Sequence, residues 1–349
     1  MNPFYKYISI LAFAFSAYVV PQDVVFGDEI VNVSNIEDLA IVQELVGSHG
    51  AGGSGLITIK IAPGFYELEE SFRINRSNVS IIGEPETMFL LAAGVNQPVV
   101  AIGTQKEWVD SADIIENIRI SGIIVDGSKD YQESELNREK PWIRNNGIDV
   151  RGVRNLEIDS VVARNNRSGG LVISWKSSNV VVTDSLFEKN FFDGVAYYDS
   201  IEISTTDCIM RDNQFAGISL DNDLVDLAFT RCLVEANGDV GVFARNTKGL
   251  RFLDCTFLES SDWAVFLAHD LENFGVHEAE FEGCQFEENR GGVFMASVDD
   301  AQSSGTRVLN STFVGNEDSG RGNIVTSGST IVEVSNAYLS TKTLVSASE

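Results

Sequence analysis

Two carboxylates and a pair of tyrosines surround a single glycine in the stretch NFFDGVAYYDS, residues 190–200. Carboxyl and phenol groups can transfer protons, and two carboxylates can serve as the acid and the base or nucleophile of a glycosidase. Asp193, Tyr198 and Asp199 are therefore candidate catalytic residues. The alternative interpretation is a turn followed by a strand with a solvated polar face. The elements that surround this stretch decide between the two.

The stretch belongs to a repeat. The motifs GIDV, GLVI, GVAY, GISL, GVFA, AVFL and GVFM follow one another at steps of 23, 24, 23, 24, 23 and 28 residues, starting at Gly147, Gly170, Gly194, Gly217, Gly241, Ala264 and Gly292. A fixed period of this size indicates a repeat architecture. Each unit contains short β-branched and aromatic runs without helical periodicity, which predicts coils built of strands. We expect the seven starts to stack in one parallel sheet.

Three further columns keep the same step. An Asn column contains Asn166, Asn190, Asn213, Asn237, Ser260, Asn289 and Asn316. A small-residue column contains Val161, Ser185, Cys208, Cys232, Cys255, Cys284 and Ser311, and an apolar column contains Ala163, Phe187, Met210, Val234, Phe257, Phe286 and Phe313. Equivalent residues of stacked strands lie ~4.8 Å apart. The first column therefore predicts an asparagine ladder at a turn, and the third predicts a stacked core.

All four cysteines fall in one column of consecutive coils. Parallel Cβ atoms ~4.8 Å apart exceed the ~3.8 Å that a disulfide favours, so we predict stacked free thiols that pack as small apolar residues. A zinc site is not indicated, because the sequence has no C-x-x-C motif and a straight column cannot provide tetrahedral geometry.

The stretches LITIKIAPGFYELEESFRI, NVSIIGEPETMFLLAAG and IRISGIIVDGSKDYQ resemble the opening coils of right-handed parallel β-helix proteins of the pectate-lyase-like superfamily. The resemblance implies an all-β, right-handed parallel β-helix over residues 30–340. That superfamily contains lyases, glycosidases, epimerases, phage proteins and non-catalytic surface proteins, so fold alone does not select a function. The N-T-D, D-D, G-H-G and R-I-K series of polygalacturonases is absent, and so are the D-P-H-E and D-P-H-D elements of mannuronan epimerases.

Strand alternation predicts that Val195 and Tyr197 point inward and that Tyr198 points outward. Outward residues of successive coils and of the turns after them then form one surface strip of Arg151, Lys176, Tyr198, Asp199, Asp221, Asp223, Arg245 and His269. Such a strip suits an elongated polysaccharide or oligosaccharide, and Trp175 and Tyr198 could stack on sugar rings. A plain solvated face would also carry Asp, Arg, Lys and Ser, but aromatic residues are poor choices for solvation alone.

The strip allows two chemistries. In a lyase or epimerase acting on uronates, Lys176 or Tyr198 serves as the base and Arg151 or Arg245 neutralises the carboxylate. In a retaining glycosidase, Asp199 and Asp221 on adjacent coils lie ~5 Å apart, and Asp193 is a third carboxylate candidate. Arg167, Trp175, Asp223 and His269 complete the predicted substrate-binding set, with Arg151 and Arg245. No cofactor is required, although Asp199, Asp221 and Asp223 could collect Ca²⁺.

Phe243, Phe266 and Phe294 stack at outward positions. Because three exposed aromatic side chains in a row would form an apolar patch, we predict that another segment or a partner subunit covers them. The C-terminal stretch TIVEVSNAYLS is the segment considered. A partner subunit at this stack would make the protein an oligomer.

A net charge of −26 disfavours nucleic acid as a partner. Lys6 followed by ISILAFAFSAYVV predicts a secretory signal over residues 1–27, too short for a membrane span, and hence a secreted, periplasmic or cell-surface protein. One β-helix domain then covers residues 28–349. Its first part, to about residue 55, forms a cap with a helix whose inner face is Ile36, Leu39, Val42 and Leu45. Residues 104–116 and 127–146 read as loops between coils that could wall a groove.

These observations predict an exported β-helix protein that acts on polysaccharide. The preferred hypothesis is a lyase or epimerase of uronate-containing glycans. The alternatives are a glycoside hydrolase with paired aspartates and a non-catalytic carbohydrate-binding or structural surface protein.

Overall fold

The computed structural model describes residues 28–48, 55–269, 275–316 and 320–340. The chain winds into a parallel β-helix in which every coil passes in turn through three parallel sheets. The predicted signal segment, residues 1–27, lies outside the described residues.

Within the described residues, the strands of each sheet follow one another from the N-terminal to the C-terminal coil. The first sheet contains β1 (Glu29–Val33), β2 (Ile57–Ile61), β5 (Val79–Gly83), β8 (Ile115–Ser121), β11 (Val153–Asp159), β14 (Ser178–Thr183), β17 (Ile201–Thr206), β20 (Leu224–Thr230), β23 (Thr247–Leu253), β27 (Glu280–Glu282), β30 (Thr306–Leu309) and β33 (Ile331–Val334), with β26 (Val276–His277) beside β23. The second sheet contains β3 (Gly64–Leu68), β6 (Thr87–Leu91), β9 (Ile124–Asp126), β12 (Val162–Arg164), β15 (Leu186–Glu188), β18 (Ile209–Arg211), β21 (Leu233–Glu235), β24 (Thr256–Leu258), β28 (Gln285–Glu287), β31 (Thr312–Val314) and β34 (Ala337–Leu339). The third sheet contains β4 (Phe72–Ile74), β7 (Val100–Gly103), β10 (Ile148–Arg151), β13 (Leu171–Ser174), β16 (Val195–Tyr198), β19 (Ile218–Asp221), β22 (Val242–Ala244), β25 (Trp263–Leu267), β29 (Gly291–Met295) and β32 (Ile324–Thr326).

The predicted stacking of the seven coil starts is confirmed, because the seven strands from β10 to β29 pair in parallel in the third sheet. The register places Leu171 beside Val195 and Val195 beside Ile218. Residues at equal distance from the repeated glycine therefore occupy the same column.

The corners of the coils use left-handed backbone conformations. Asp184, Asp207 and Asp254 have φ values of 48°, 54° and 53° at the corner between the first and second sheets. Asp and Asn tolerate this region better than other non-glycine residues, because their short side chains bond locally. The frequent Asp and Asn residues of the sequence thus allow each coil to bend tightly where it passes from one sheet to the next.

A helix caps the N-terminal coil, as predicted. Helix α1 (Ile36–Val46) begins after Asn35, whose side chain accepts a hydrogen bond from the Asp38 main-chain N–H at 2.8 Å. Such a cap satisfies a donor that the first turn leaves free. Its buried face differs in part from the prediction, because Leu39 and Val42 are buried whereas Ile36 is 41% exposed. Two short 3₁₀ helices, Ser111–Asp113 and Lys129–Tyr131, lie in the inserted loops.

The predicted columns form the interior. In the apolar column, Phe257 and Phe286 are fully buried with their ring centroids 5.0 Å apart, and Phe313 follows at 4.5 Å. The four cysteines are free and buried, and the Cys232 main-chain N–H donates to Cys255 Sγ at 3.4 Å. Stacking of like side chains explains both columns.

The asparagine ladder also forms. Asn213 Nδ2 donates to Asn237 Oδ1 at 3.0 Å and lies 3.1 Å from the Phe187 carbonyl oxygen, while its own Oδ1 accepts from the main chain and side chain of Asn190. Each buried amide therefore ties its coil to the coils on both sides.

Asn213→Ala should lower the free energy of unfolding by about 3 kcal/mol, because several buried donors and acceptors lose their partners at once. Urea unfolding measures this change. Asn32→Ala is the matched control, since Asn32 is exposed on β1 and its replacement should stay within about 0.5 kcal/mol of wild type. Equal effects of the two substitutions would show that the ladder does not stabilise the coils.

Candidate functional site

The outward face of the third sheet is covered at its N-terminal end. Two inserted loops, residues 104–114 after β7 and residues 127–147 before β10, interrupt the first coils. The predicted loops, residues 104–116 and 127–146, match them except that Ile115 and Glu116 already belong to β8 and Gly147 still belongs to the loop. Arg151 points outward from the solenoid but is only 4% exposed, and its Nη2 donates to the Lys106 carbonyl oxygen at 2.7 Å. This side chain therefore anchors the loop, and its predicted contact with substrate stays a prediction that the observed burial does not favour.

Trp175 and Lys176 also hold this loop. Both adopt left-handed backbone conformations, with φ values of 57° and 61°. The Trp175 ring meets Trp108 edge-on at 5.4 Å and the Arg151 guanidinium at 5.5 Å, and Lys176 Nζ donates to the Val109 carbonyl oxygen at 3.1 Å. Lys176 thus has a partner on the loop, whereas its predicted role was that of a base near Tyr198.

Tyr197 and Tyr198 point in opposite directions, as predicted. Tyr197 is fully buried, and its hydroxyl lies 2.8 Å from Thr205 Oγ1. Tyr198 is half-buried on the outward face. Burial, together with the nearby Asp193 charge, raises the pKa of Tyr198 to about 12, so the phenol stays protonated at neutral pH and is a poor base.

Asp193 occupies the turn before Gly194 and is 4% exposed. Its Oδ1 accepts a hydrogen bond from the Ala216 main-chain N–H at 3.0 Å. Burial raises the pKa of Asp193 to about 7, opposed by the Ala216 hydrogen bond and by the Arg144 charge, while the charge of Asp239 raises it further. A carboxyl group in this range can donate or accept a proton near neutral pH.

The predicted carboxylate pair does not form. The register places Tyr198, not Asp199, opposite Asp221. Asp221 instead forms a two-point ion pair with Arg245, whose Nε lies 3.0 Å from Asp221 Oδ1. Asp199 lies one position further along, where burial and the charge of Asp223 raise its pKa. Counting from the repeated glycines gives this register, because Tyr198 and Asp221 each lie four positions after their glycine.

The remaining predicted binding residues are Arg167, Asp223 and His269, and none of them lines the pocket beside Asp193. Arg167 stacks its guanidinium 4.1 Å from the Phe191 ring centroid, away from the outward face of the third sheet. Asp223 is exposed and accepts from Asn246 Nδ2 at 3.0 Å. His269 is half-buried after β25.

A pocket of ≈ 360 Å³ opens beside Asp193, along the edge where the chain enters the third sheet. Aromatic and acidic side chains of four consecutive coils line it, among them Phe192, Phe215, Phe243, Phe266, Trp263, Asp193, Asp239 and Asp262. Phe192 and Phe215 stack with their ring centroids 4.5 Å apart. We call this the aromatic pocket.

Sequence reasoning missed most of this pocket. Phe192, Phe215, Asp239 and Asp262 form a column two positions before the repeated Gly or Ala, joined by main-chain hydrogen bonds. That column was visible in NFFDG, NQFAG, NGDVG and SSDWA. Arg144 gave no periodic signal, because it reaches Asp193 from an inserted loop.

The outward phenylalanine column is half-buried and packs against Trp263 and Val240. Phe266 lies 6.0 Å from Phe243 and 5.3 Å from Phe294 between ring centroids. The prediction that TIVEVSNAYLS covers this column is wrong, because these residues form β33 and β34 in the last coil. A covering partner subunit stays a prediction.

In the part of the chain that the structure describes, no three His, Cys, Asp or Glu side chains come together as a metal site would require. Ca²⁺ binding by Asp199, Asp221 and Asp223 therefore stays a prediction without a visible ligand cluster. Among the same residues, no helix has both the length and the apolar character needed to cross a membrane.

Comparisons with known proteins agree with this architecture. The family model described as the right handed beta helix region matches residues 111–257 and 206–339, which together make up more than half of the chain. No curated protein matches the chain.

Three solved structures illustrate the similarity. A Geobacillus virus E2 protein, ORF18, has a TM-score of 0.62 at 14% identity and matches over 89% of this chain and 61% of its own. The Agl-KA catalytic domain has a TM-score of 0.62 at 14% identity, over 88% and 65%. An endo-xylogalacturonan hydrolase from Aspergillus tubingensis has a TM-score of 0.54 at 11% identity, over 90% and 93%. The chain thus spans less than two thirds of the first two, and identities this low show the fold alone.

Proposed function

The chain belongs to the right-handed β-helix family, and from that premise we propose that it is a glycan-active protein, a glycoside hydrolase with Asp193 as general acid. The observation that carries the proposal is the position of Asp193, a buried carboxyl group in the wall of an aromatic pocket. Sugar rings present apolar faces that aromatic side chains can cover, and a carboxylic acid with a raised pKa is the proton donor that glycoside cleavage needs.

Asp239 provides the second carboxylate. It is exposed in the same pocket and follows Asp193 by two coils, which places their backbones about 9–10 Å apart along the solenoid axis. Inverting glycosidases hold their carboxyl groups roughly 6.5–9.5 Å apart, so that a water molecule fits between the base and the sugar. In this proposal Asp193 protonates the leaving glycosidic oxygen. Asp239 takes a proton from the water that attacks the anomeric carbon on the opposite face.

The charges around the pocket favour a neutral glycan. The carboxylate of Asp239 lines it, and the whole protein has a net charge of −26, so a polyuronate chain would be repelled. The nearby cations are engaged with acidic partners: Arg144 lies 2.9 Å from Glu135, and Arg245 and Arg321 pair with Asp221 and Asp262. The excess of acidic over unengaged basic side chains around the pocket supports a hydrolase of neutral glycans over a lyase or epimerase.

A uronate lyase or epimerase is the second candidate, and Arg144 is the observation that favours it. Its guanidinium lies close enough to Asp193 and Tyr198 to influence the pKa of both. A uronate carboxylate that displaced Glu135 could pair with Arg144 while Asp193 or Tyr198 exchanged the C5 proton. Elimination would yield an unsaturated sugar that absorbs in the ultraviolet. Hydrolysis yields new reducing ends but no product with this absorbance.

We place this activity outside the cytoplasm, in a secreted, periplasmic or cell-surface protein. The proposal rests on residues 1–27, in which a lysine precedes a short apolar run.

The test is a panel of xylan, glucomannan, mixed-linkage β-glucan and dextran, with polygalacturonate and alginate as the charged members. We expect new reducing ends from at least one neutral polymer. Tyr198→Phe should lower kcat at least tenfold, because the phenol is near enough to Asp193 for that charge to raise its pKa. The matched control is Tyr131→Phe, since Tyr131 is 71% exposed on an inserted loop and should leave kcat unchanged.

Two outcomes would overturn the proposal. Ultraviolet-absorbing products from polygalacturonate or alginate alone would establish the lyase. Binding without any product, unaffected by Tyr198→Phe, would establish a non-catalytic carbohydrate-binding protein.

A further inference from the structure

The two inserted loops meet above the third sheet. Residues 104–114 leave the sheet at the end of β7, and residues 127–147 approach it from the opposite edge, before β10. Trp142 Nε1 lies 3.2 Å from the Gln105 carbonyl oxygen, and Lys140 Nζ lies 2.9 Å from Gln105 Oε1. We call this contact of Gln105 with Lys140 and Trp142 the loop bridge.

The face beneath and beside the loop bridge is closed. Ala101, Asp149 and Arg151 point outward from β7 and β10, yet they are only 2%, 5% and 4% exposed. On the next strand, β13, the outward residues Val172 and Ser174 are each 8% exposed. A glycan chain lying along the third sheet therefore cannot continue over these coils.

The same face is open on the other side. Along the column of Val172, Ala196 on β16 is still only 2% exposed, whereas Ser219, Phe243, Phe266 and Phe294 on the next strands are all half-buried. Four strands at about 4.8 Å each give this open part a length of roughly 15–20 Å. Aromatic side chains form most of it, and Ser219, Phe243 and Phe266 also line the aromatic pocket.

Asp193 and Tyr198 lie at the border between the closed and the open part. Arg144, two residues after Trp142, places its guanidinium 4.9 Å from the Phe192 ring centroid, and Phe192 adjoins Asp193. The loop that forms the bridge therefore also forms the wall beside the candidate acid.

We propose that the loop bridge makes the groove a dead end, so that the protein binds the terminus of a glycan chain and removes short units from that end. This inference rests on the proposed function and specifies its substrate as a chain end. The terminal sugars occupy the end of the aromatic pocket beside Phe192 and Asp193. The rest of the chain leaves over Phe243, Phe266 and Phe294.

The experiment uses the full-length protein and the neutral polymer of the panel that it hydrolyses. We expect a single small product size from the earliest time points, with reducing ends accumulating while viscosity stays nearly constant. Halving the mean chain length at constant mass doubles the number of ends. Because a protein that binds chain ends then has twice as many binding sites, its initial rate of hydrolysis at subsaturating polymer should double.

A variant tests the bridge itself. Lys140→Ala combined with Trp142→Ala removes both contacts with Gln105 and should shift the products toward mixed sizes, with a faster loss of viscosity. Tyr131→Ala is the matched control, because Tyr131 is 71% exposed on the same loop as Lys140 and Trp142. It should keep the single product size.

The outcomes separate this inference from the proposed function. Random internal cleavage by the wild-type protein, with a rate independent of chain length, would overturn the dead end while leaving the hydrolase intact. An unchanged product pattern in the double variant would overturn the role of the bridge. Inactivity on every neutral polymer would overturn the hydrolase, and the dead end with it.

Discussion

Asp193→Asn is expected to abolish glycan hydrolysis and, at about pH 8, to make the protein more stable than wild type. The amide cannot donate the proton that the leaving oxygen needs, so kcat should fall about 10²–10⁴-fold. Its oxygen can still accept the hydrogen bond from the Ala216 main-chain N–H. The local fold should therefore survive the substitution.

The stability gain follows from the raised pKa. Burial raises the pKa of Asp193 from 3.8 to about 7, so the fold favours the protonated form. The contribution of Asp193 to the free energy of unfolding is therefore fully present below about pH 4 and is lost as the pH rises through about 7. The whole difference is on the order of 4 kcal/mol. Asn carries no proton to lose, so this part of the pH dependence should disappear in the variant.

Urea unfolding at a series of pH values, together with kcat/KM, measures both effects. The activity of the wild-type protein should decline as the pH rises above about 7, because the acid is then deprotonated. Asp239→Asn is the control: it should lower activity but keep most of the pH dependence of stability, because burial contributes more than the Asp239 charge to the raised pKa of Asp193. Full activity of Asp193→Asn would remove Asp193 from the mechanism.

Tyr197→Ala is expected to lower the free energy of unfolding by about 3–5 kcal/mol, as do other truncations of buried aromatic residues. Tyr197 is fully buried, stacks on Phe229 with ring centroids 5.9 Å apart, and shares a hydrogen bond with Thr205. Truncation leaves a cavity between coils and a buried hydroxyl without its partner.

The comparison with Tyr198→Phe separates stability from function at adjacent positions. Tyr198→Phe keeps the ring and should leave the urea midpoint nearly unchanged, while it reduces kcat. Both variants are followed by urea unfolding and by the hydrolysis assay. A stable Tyr197→Ala protein would mean that the interior tolerates the cavity, which would contradict the tight stacking of coils.

The sequence by itself determined the solenoid and its interior. A step of 23 or 24 residues fixes the size of a coil, and alternation within each strand fixes which residues point inward. These two periods predict the burial of Tyr197, the cysteine column, the buried apolar column and the asparagine ladder. Such predictions are reliable because each residue of a column has a similar residue on the preceding and the following coil, and so the same environment.

Only the tertiary structure decided which outward residues could form a site. Arg151 lies under an inserted loop, Asp221 pairs with Arg245, and Asp193 is buried beside Arg144. The loops that cover Arg151 and approach Asp193 interrupt the repeat and have no period. Asp221 and Arg245 each lie four positions after their repeated glycine, so the repeat places them side by side but does not show that they form an ion pair. Burial then sets the pKa of Asp193, because desolvation depends on everything packed around the carboxyl group rather than on its neighbours in sequence.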